Sequence, residues 1–155
     1  MARYRTTVRT PRSAANAFAY MSDLRNFAQW DPGVTSVDQL RGDGGGPEAV
    51  FDVDVKAVAG TTTLQYVTTE YSEPDDMQRA HVKVEARSRF LTSIDRIDVV
   101  PDPDGPGSRV TYDAELELNG VLRVLDPLLG LAFDGIGDRA GAGLERALNG
   151  ERVVA

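Results

Sequence analysis

Three side chains of this 155-residue chain have the chemistry for proton transfer or polar recognition inside a fold: Asp95, Tyr66 and Tyr112. Asp95 stands in "LTSIDRIDVV", where Ile97 and Val99 follow at the two-residue step that returns a strand to one face. If Pro101–Ser108 joins this strand to "RVTYDAELEL" with Val99 opposite Val110, then Ile97 falls opposite Tyr112 and Asp95 opposite Ala114, all inward. A carboxyl held there has its charged form disfavoured, which lifts its pKa toward the range useful for a general acid or base. The competing reading keeps Asp95 at a strand edge, held by Arg96, Arg89 or a backbone amide. Tyr66 and Tyr112 either hydrogen-bond a ligand carbonyl or hydroxyl, or tip toward water at a core rim, and Thr68 and Ser93 are weaker candidates of the same kind.

The other polar residues mainly exclude chemistries. No cysteine is present, which removes thiol nucleophiles, disulfides and thiolate zinc sites and suits a reducing, cytoplasmic setting. His81 is the only histidine, and strand phase puts it outside with Lys83 and Glu85. No imidazole metal site and no Ser-His-Asp arrangement can then be assembled on the inner face, so neither metal nor cofactor is expected. Asp52, Asp54, Asp75, Asp76, Asp102 and Asp104 lack the spacing of a calcium loop. "GDGGG" (Gly42–Gly46) has the glycines of a phosphate loop but neither its lysine nor its helix, and reads as a hairpin turn. A net charge of -7, with lysine only at Lys56 and Lys83, argues against nucleic-acid binding.

These residues need elements to place them. Ala2–Arg9 reads as a strand, and from Ser13 as N-cap the apolar residues Ala14, Ala17, Phe18, Met21, Leu24 and Phe27 recur at helical spacing up to Trp30 and Pro32. Six further strands follow, at about Thr35–Arg41, Ala49–Val58, Thr62–Ser72, Gln78–Arg87, Thr92–Val100 and Arg109–Leu118, separated by turn-forming clusters as in an antiparallel meander. With Ala59-Gly60 as a two-residue hairpin loop, Val55 opposes Leu64 and Val53 opposes Tyr66. Leu125, Leu129, Phe133, Ile136, Ala140, Leu144 and Leu148 then predict a long helix capped by Asp126, opened by Pro127 and followed by Gly150. Its internal glycines each cost about 1 kcal/mol relative to alanine if exposed. Close approach to the sheet, or room for a bound molecule, would compensate; a kinked or frayed helix is the alternative. "GVLRVLDPLLGLAF" is too short and too interrupted to span a bilayer. The opening "MARYRTTVRTP" carries no signal-like apolar run, and the whole chain reads as one domain, 1–155.

The succession strand, helix, antiparallel strands and long final helix resembles the helix-grip fold of the START-like superfamily, an α+β fold in which a curved sheet of about seven strands wraps the last helix. "TPRSAANAFAYMSDLRNFAQWDPGV" resembles the opening of its polyketide cyclase/dehydrase and lipid-transport group, while "GSRVTYDAELEL" and "DPLLGLAFDGIGDRAGAGLERAL" are similar to that group's last strand and closing helix. The resemblance implies a ligand cavity between sheet and helix. The inward residues then become its lining: Phe51, Val53 and Val55; Leu64 and Tyr66; Val82 and Val84; Asp95, Ile97 and Tyr112; and Leu129, Phe133 and Ile136 from the helix. The same apolar side chains would equally fill a core.

The expectation is therefore a protein that binds a small hydrophobic or aromatic molecule. A second expectation from the resemblance is a polyketide cyclase or aromatase in which Asp95 and the tyrosines position a poly-keto chain. A third is a non-enzymatic quinone-, membrane- or protein-interaction module, with the stretch from Leu125 to Phe133 as a peripheral membrane contact. Trp30, the only tryptophan, reads mainly as a plug where the first helix meets the sheet, with a ligand contact as the other reading.

Overall fold

Alternation of apolar and polar residues makes a ladder in which the central strands keep one face dry, and all strand pairs are antiparallel. The structure, a computed structural model, describes residues 1–57 and 60–153, with only the backbone described at positions 57, 128, 129, 131 and 132. Its elements are β1 (Ala2–Thr10), α1 (Ala14–Ser22), a 3-10 turn (Leu24–Asn26), α2 (Phe27–Trp30), β2 (Val34–Arg41), β3 (Val50–Ala57) and β4 (Gly60–Ser72). Then come β5 (Ala80–Arg87), β6 (Leu91–Pro101), β7 (Ser108–Leu118), a 3-10 segment (Gly120–Leu125), α3 (Asp126–Ala147) and β8 (Glu151–Arg152). The sheet runs in the order β2-β3-β4-β5-β6-β7-β1-β8, so the first strand closes against the last long one. The two-residue β8, pairing Val8 with Arg152, brings the strands to eight.

Three local expectations are corrected. Val53 pairs with Leu64 and Phe51 with Tyr66, a slip of two residues from the expected hairpin register. The slip preserves every face because strand side chains alternate with period two. The described pairing ends at Ala57–Gly60, so the expected loop residue Ala59 lies outside the described residues. The first helix is not continuous: Asp23 leaves helical geometry (φ -89°, ψ 98°), accepts the amide of Arg25, and restarts the chain as a 3-10 turn before α2. Asp126 does not cap α3. The 3-10 segment before it already holds its backbone helical (φ -51°, ψ -42°), and its carboxylate instead accepts the Leu118 amide at 3.1 Å and pairs with the Met1 ammonium at 3.1 Å. At the other end of α3, Asn149 takes the left-handed position (φ 50°) and Gly150 donates to the Glu145 carbonyl, closing a Schellman motif.

The apolar face of α1 (Ala14, Ala17, Phe18, Met21) joins Leu24, Phe27 and Trp30 on the sheet, while α3 is anchored by Ala140, Leu144 and Leu148. Close approach accounts for three of its glycines. A Cβ on Gly137 would overlap the Tyr4 ring, one on Gly141 would press on the Tyr4 hydroxyl, and one on Gly143 would overlap the Trp30 carbonyl. Gly130 and Gly135 have open space instead. The helix is thus gripped along its C-terminal half, and its approach leads into the exposed Val121, Val124 and Leu125. Among the described residues no helix is long and apolar enough to cross a membrane.

Candidate functional site

β6 brings Ser93, Asp95 and Ile97 to the inner face one after another, and the β6–β7 register places Ile97 beside Tyr112 and Asp95 beside Ala114, as the alternation predicts. On the other side β5 supplies Val82 and Val84, which pair with Ile97 and Asp95. Asp95 is 4% exposed in an apolar setting. The Tyr112 hydroxyl donates to its Oδ2 at 3.3 Å, and the Tyr66 hydroxyl donates to Ser93 Oγ at 2.8 Å, so the two tyrosines end on one short polar row.

Neither arginine of the competing reading reaches Asp95: Arg96 turns outward to Glu115 at 3.1 Å, and Arg89 stacks on the Phe90 ring. Burial without a cation, together with the nearby Asp31 carboxylate, pushes the Asp95 carboxyl up to about 7, against the Tyr112 and Ser93 hydroxyls, which favour the charged form. Burial and the Asp95 charge push both tyrosine hydroxyls well above their ordinary value, so they act as neutral hydrogen-bond donors. An acid that is half-ionised near neutrality, with phenol donors beside it, can polarise or protonate a carbonyl or accept a proton from an activated carbon.

The exit of α2 forms another wall. Trp30 is 1% exposed, its ring 4.8 Å from that of Phe27 and 5.0 Å from that of Tyr112, edge-on to both. Its neighbour Asp31 accepts the Gly33 amide at 2.8 Å in the turn, and burial raises its carboxyl too.

The model of the family described as polyketide cyclase / dehydrase and lipid transport matches residues 1–149. The chain belongs to this family. Among solved structures, a START superfamily protein from Mycobacterium smegmatis superposes with a TM-score of 0.74 at 17% identity, over 96% of this chain and 98% of that one. A STAR-related lipid transfer protein fragment from Xanthomonas axonopodis gives 0.69 at 20% identity, over 95% and 85%. The di-domain ARO/CYC BexL gives 0.58 at 16% identity, over 89% of this chain and 48% of that one. At these identities the likeness shows the fold, which is the START-like helix grip. No curated protein matches the chain.

In this member of the polyketide cyclase/dehydrase and lipid transport family, the inner face gathers Phe51, Val53, Leu64, Tyr66, Val82, Val84, Asp95, Ile97 and Tyr112 as buried residues. Val55 and Phe133 are half-buried against them, and Ile136 is half-buried on α3. The side chain of Leu129 lies outside the described residues. His81 is on the outer face, its Nδ1 2.7 Å from Asp98 and its Nε2 3.0 Å from Glu70. Glu70 reaches that face because a bulge at Thr69 reverses the alternation of β4; unbroken, it would point inward with Thr68. Two depressions among the described residues, of about 540 and 430 Å³, open at the Arg9–Asp102 end and beside Arg5 and His81, away from the Asp95 row. Among the described residues no group of His, Asp or Glu is arranged to hold a metal ion.

Two contributors escaped the strand pattern. Asp31 reads in the sequence as a turn former, and its charge on Asp95 is visible only once the chain doubles back. Trp30 reads as a plug and is buried as one, but its ring packs edge-on to Tyr112 and carries an N–H with no hydrogen-bond partner.

Proposed function

We propose that the protein binds a small hydrophobic or aromatic molecule between the sheet and α3, with the Asp95–Tyr112 and Tyr66–Ser93 pairs as its polar anchors. The observation that carries this reading is Asp95 itself: a carboxyl buried on an apolar face with hydroxyls for company and no cation. Burying such a group for stability alone is unfavourable, because desolvation of its charged form is uncompensated. A few polar groups converging on an apolar wall are what fixes the orientation of a small ligand. Native mass spectrometry of the purified chain tests the reading, with a co-purified small molecule that Asp95→Leu no longer retains as the expected result. Retention of the same molecule by that variant would overturn it.

The raised Asp95 carboxyl favours a second reading, in which the site is enzymatic and closes a poly-keto chain by aldol chemistry, Asp95 moving the proton and the tyrosines holding the carbonyls. Here Asp95→Asn abolishes turnover of a poly-keto substrate while binding persists, and unchanged turnover rejects it.

A further inference from the structure

Among the described residues one buried side-chain polar atom has no hydrogen-bond partner: the indole Nε1 of Trp30. A buried indole N–H ordinarily finds an acceptor, and leaving one unmet is unfavourable by an amount that a plug has no reason to incur. A phenylalanine would fill the corner between Phe27 and Tyr112 without that penalty. The position of the ring supplies the reason for the nitrogen. Trp30 lies edge-on to Tyr112, whose hydroxyl donates to Asp95, so indole, phenol and carboxyl form one continuous array from the exit of α2 to the centre of β6. The carbonyl of Trp30 meets α3 at Gly143, where only a glycine allows the contact, so the backbone that carries the indole is seated against the helix.

We infer that Trp30 Nε1 is a ligand-binding donor that takes a carbonyl or ether oxygen of the bound molecule. This deepens the binding reading above and rests on it: it narrows the ligand from any apolar molecule to an apolar molecule bearing a hydrogen-bond acceptor. In the structure Tyr66 donates to Ser93 and Tyr112 to Asp95, whereas the indole N–H, alone among the buried side-chain polar atoms of the described residues, has no partner.

Because Trp30 is the only tryptophan, the folded chain shows a single indole N–H resonance, which makes the test direct. Two probes of the same shape are titrated into the ¹⁵N-labelled full chain: 2-acetylnaphthalene, which carries a carbonyl oxygen, and 2-isopropenylnaphthalene, which has a methylene in its place. The expected result is a downfield shift of the indole proton with the ketone alone and about tenfold tighter binding of the ketone. In Trp30→Phe, with folding checked by its amide spectrum, the preference falls to none. If that variant does not fold, the indole shift in the wild-type chain decides. Both probes binding equally, or moving the indole proton equally, overturns the inference while leaving the binding site standing; the N–H is then met by the face of the Tyr112 ring. Binding of neither probe overturns the inference together with the reading beneath it.

Discussion

Asp95 and Asp102 are carried by β6 and by the turn that leaves it, and each is at least nine-tenths buried. Their environments drive them in opposite directions. Asp102 accepts from the Asp104 amide at 3.0 Å, from Arg9 at 2.8 Å and from Arg109 at 3.1 Å, and these donors, the amide foremost, hold its carboxyl below the ordinary value. Asp95 has a single phenol at 3.3 Å and a second carboxylate, Asp31, in its field, and it is pushed up to about 7. Low exposure therefore does not by itself decide ionisation: burial dominates at Asp95, where few donors oppose it, and at Asp102 a backbone amide and two arginines outweigh it. One aspartate ties down a loop, and the other is left poised.

The largest test of that contrast is the pH dependence of stability. The folded-state pKa of Asp95 lies above its unfolded value, so its neutral form contributes stability that is fully present below about pH 4 and lost as pH rises through about 7. The loss amounts to about 4 kcal/mol. Asp95→Asn should match the wild-type chain in acid and exceed it at about pH 8, as read by urea unfolding across the range. Parallel curves for the two proteins would break the comparison.

Asp102 carries the opposite sign. Its depressed pKa stabilises above the unfolded value, and that stability is lost as pH falls through the folded one. Asp102→Asn should lower the melting temperature at neutral pH, where Arg9 and Arg109 lose their counter-charge, and leave it unchanged in strong acid, a convergence visible by calorimetry.

The smallest effect sharpens the Asp95 side. Tyr112→Phe removes a donor that favours the carboxylate, so the Asp95 midpoint should rise further, with a stability change of about 1 kcal/mol. Carboxyl ¹³C titration reads the midpoint directly, and a fall would mean that the phenol is not the group holding it down.

Much of this was legible before folding. The faces of β6 and β7 follow from a period of two that begins at a turn rich in Pro, Asp and Gly, so the pairing of Ile97 with Tyr112 and of Asp95 with Ala114 could be counted from Val99 and Val110. The β3–β4 register could slip by two residues without moving a side chain to the wrong face, because parity survives an even slip. A one-residue event has no such protection. The bulge at Thr69 reverses the phase of β4 and carries Glu70 outward to His81, and nothing in "LQYVTTEYS" announces it. Asp23 is a similar case: the apolar spacing runs through it, but its carboxylate competes for the local amide and ends the helix there.

Residue type and spacing alone settle the period of the elements, the sign of the strand faces outside the bulge at Thr69 and the absence of thiol chemistry, since these are local properties. Tertiary structure alone decided which carboxyls meet cations and which do not. Arg9 and Asp102 are far apart in the chain, as are Trp30 and Tyr112, and an ionisation state or an unmet N–H depends on what the fold brings within a few ångströms. That distance is set by strand order and helix docking, and no count along the chain contains it.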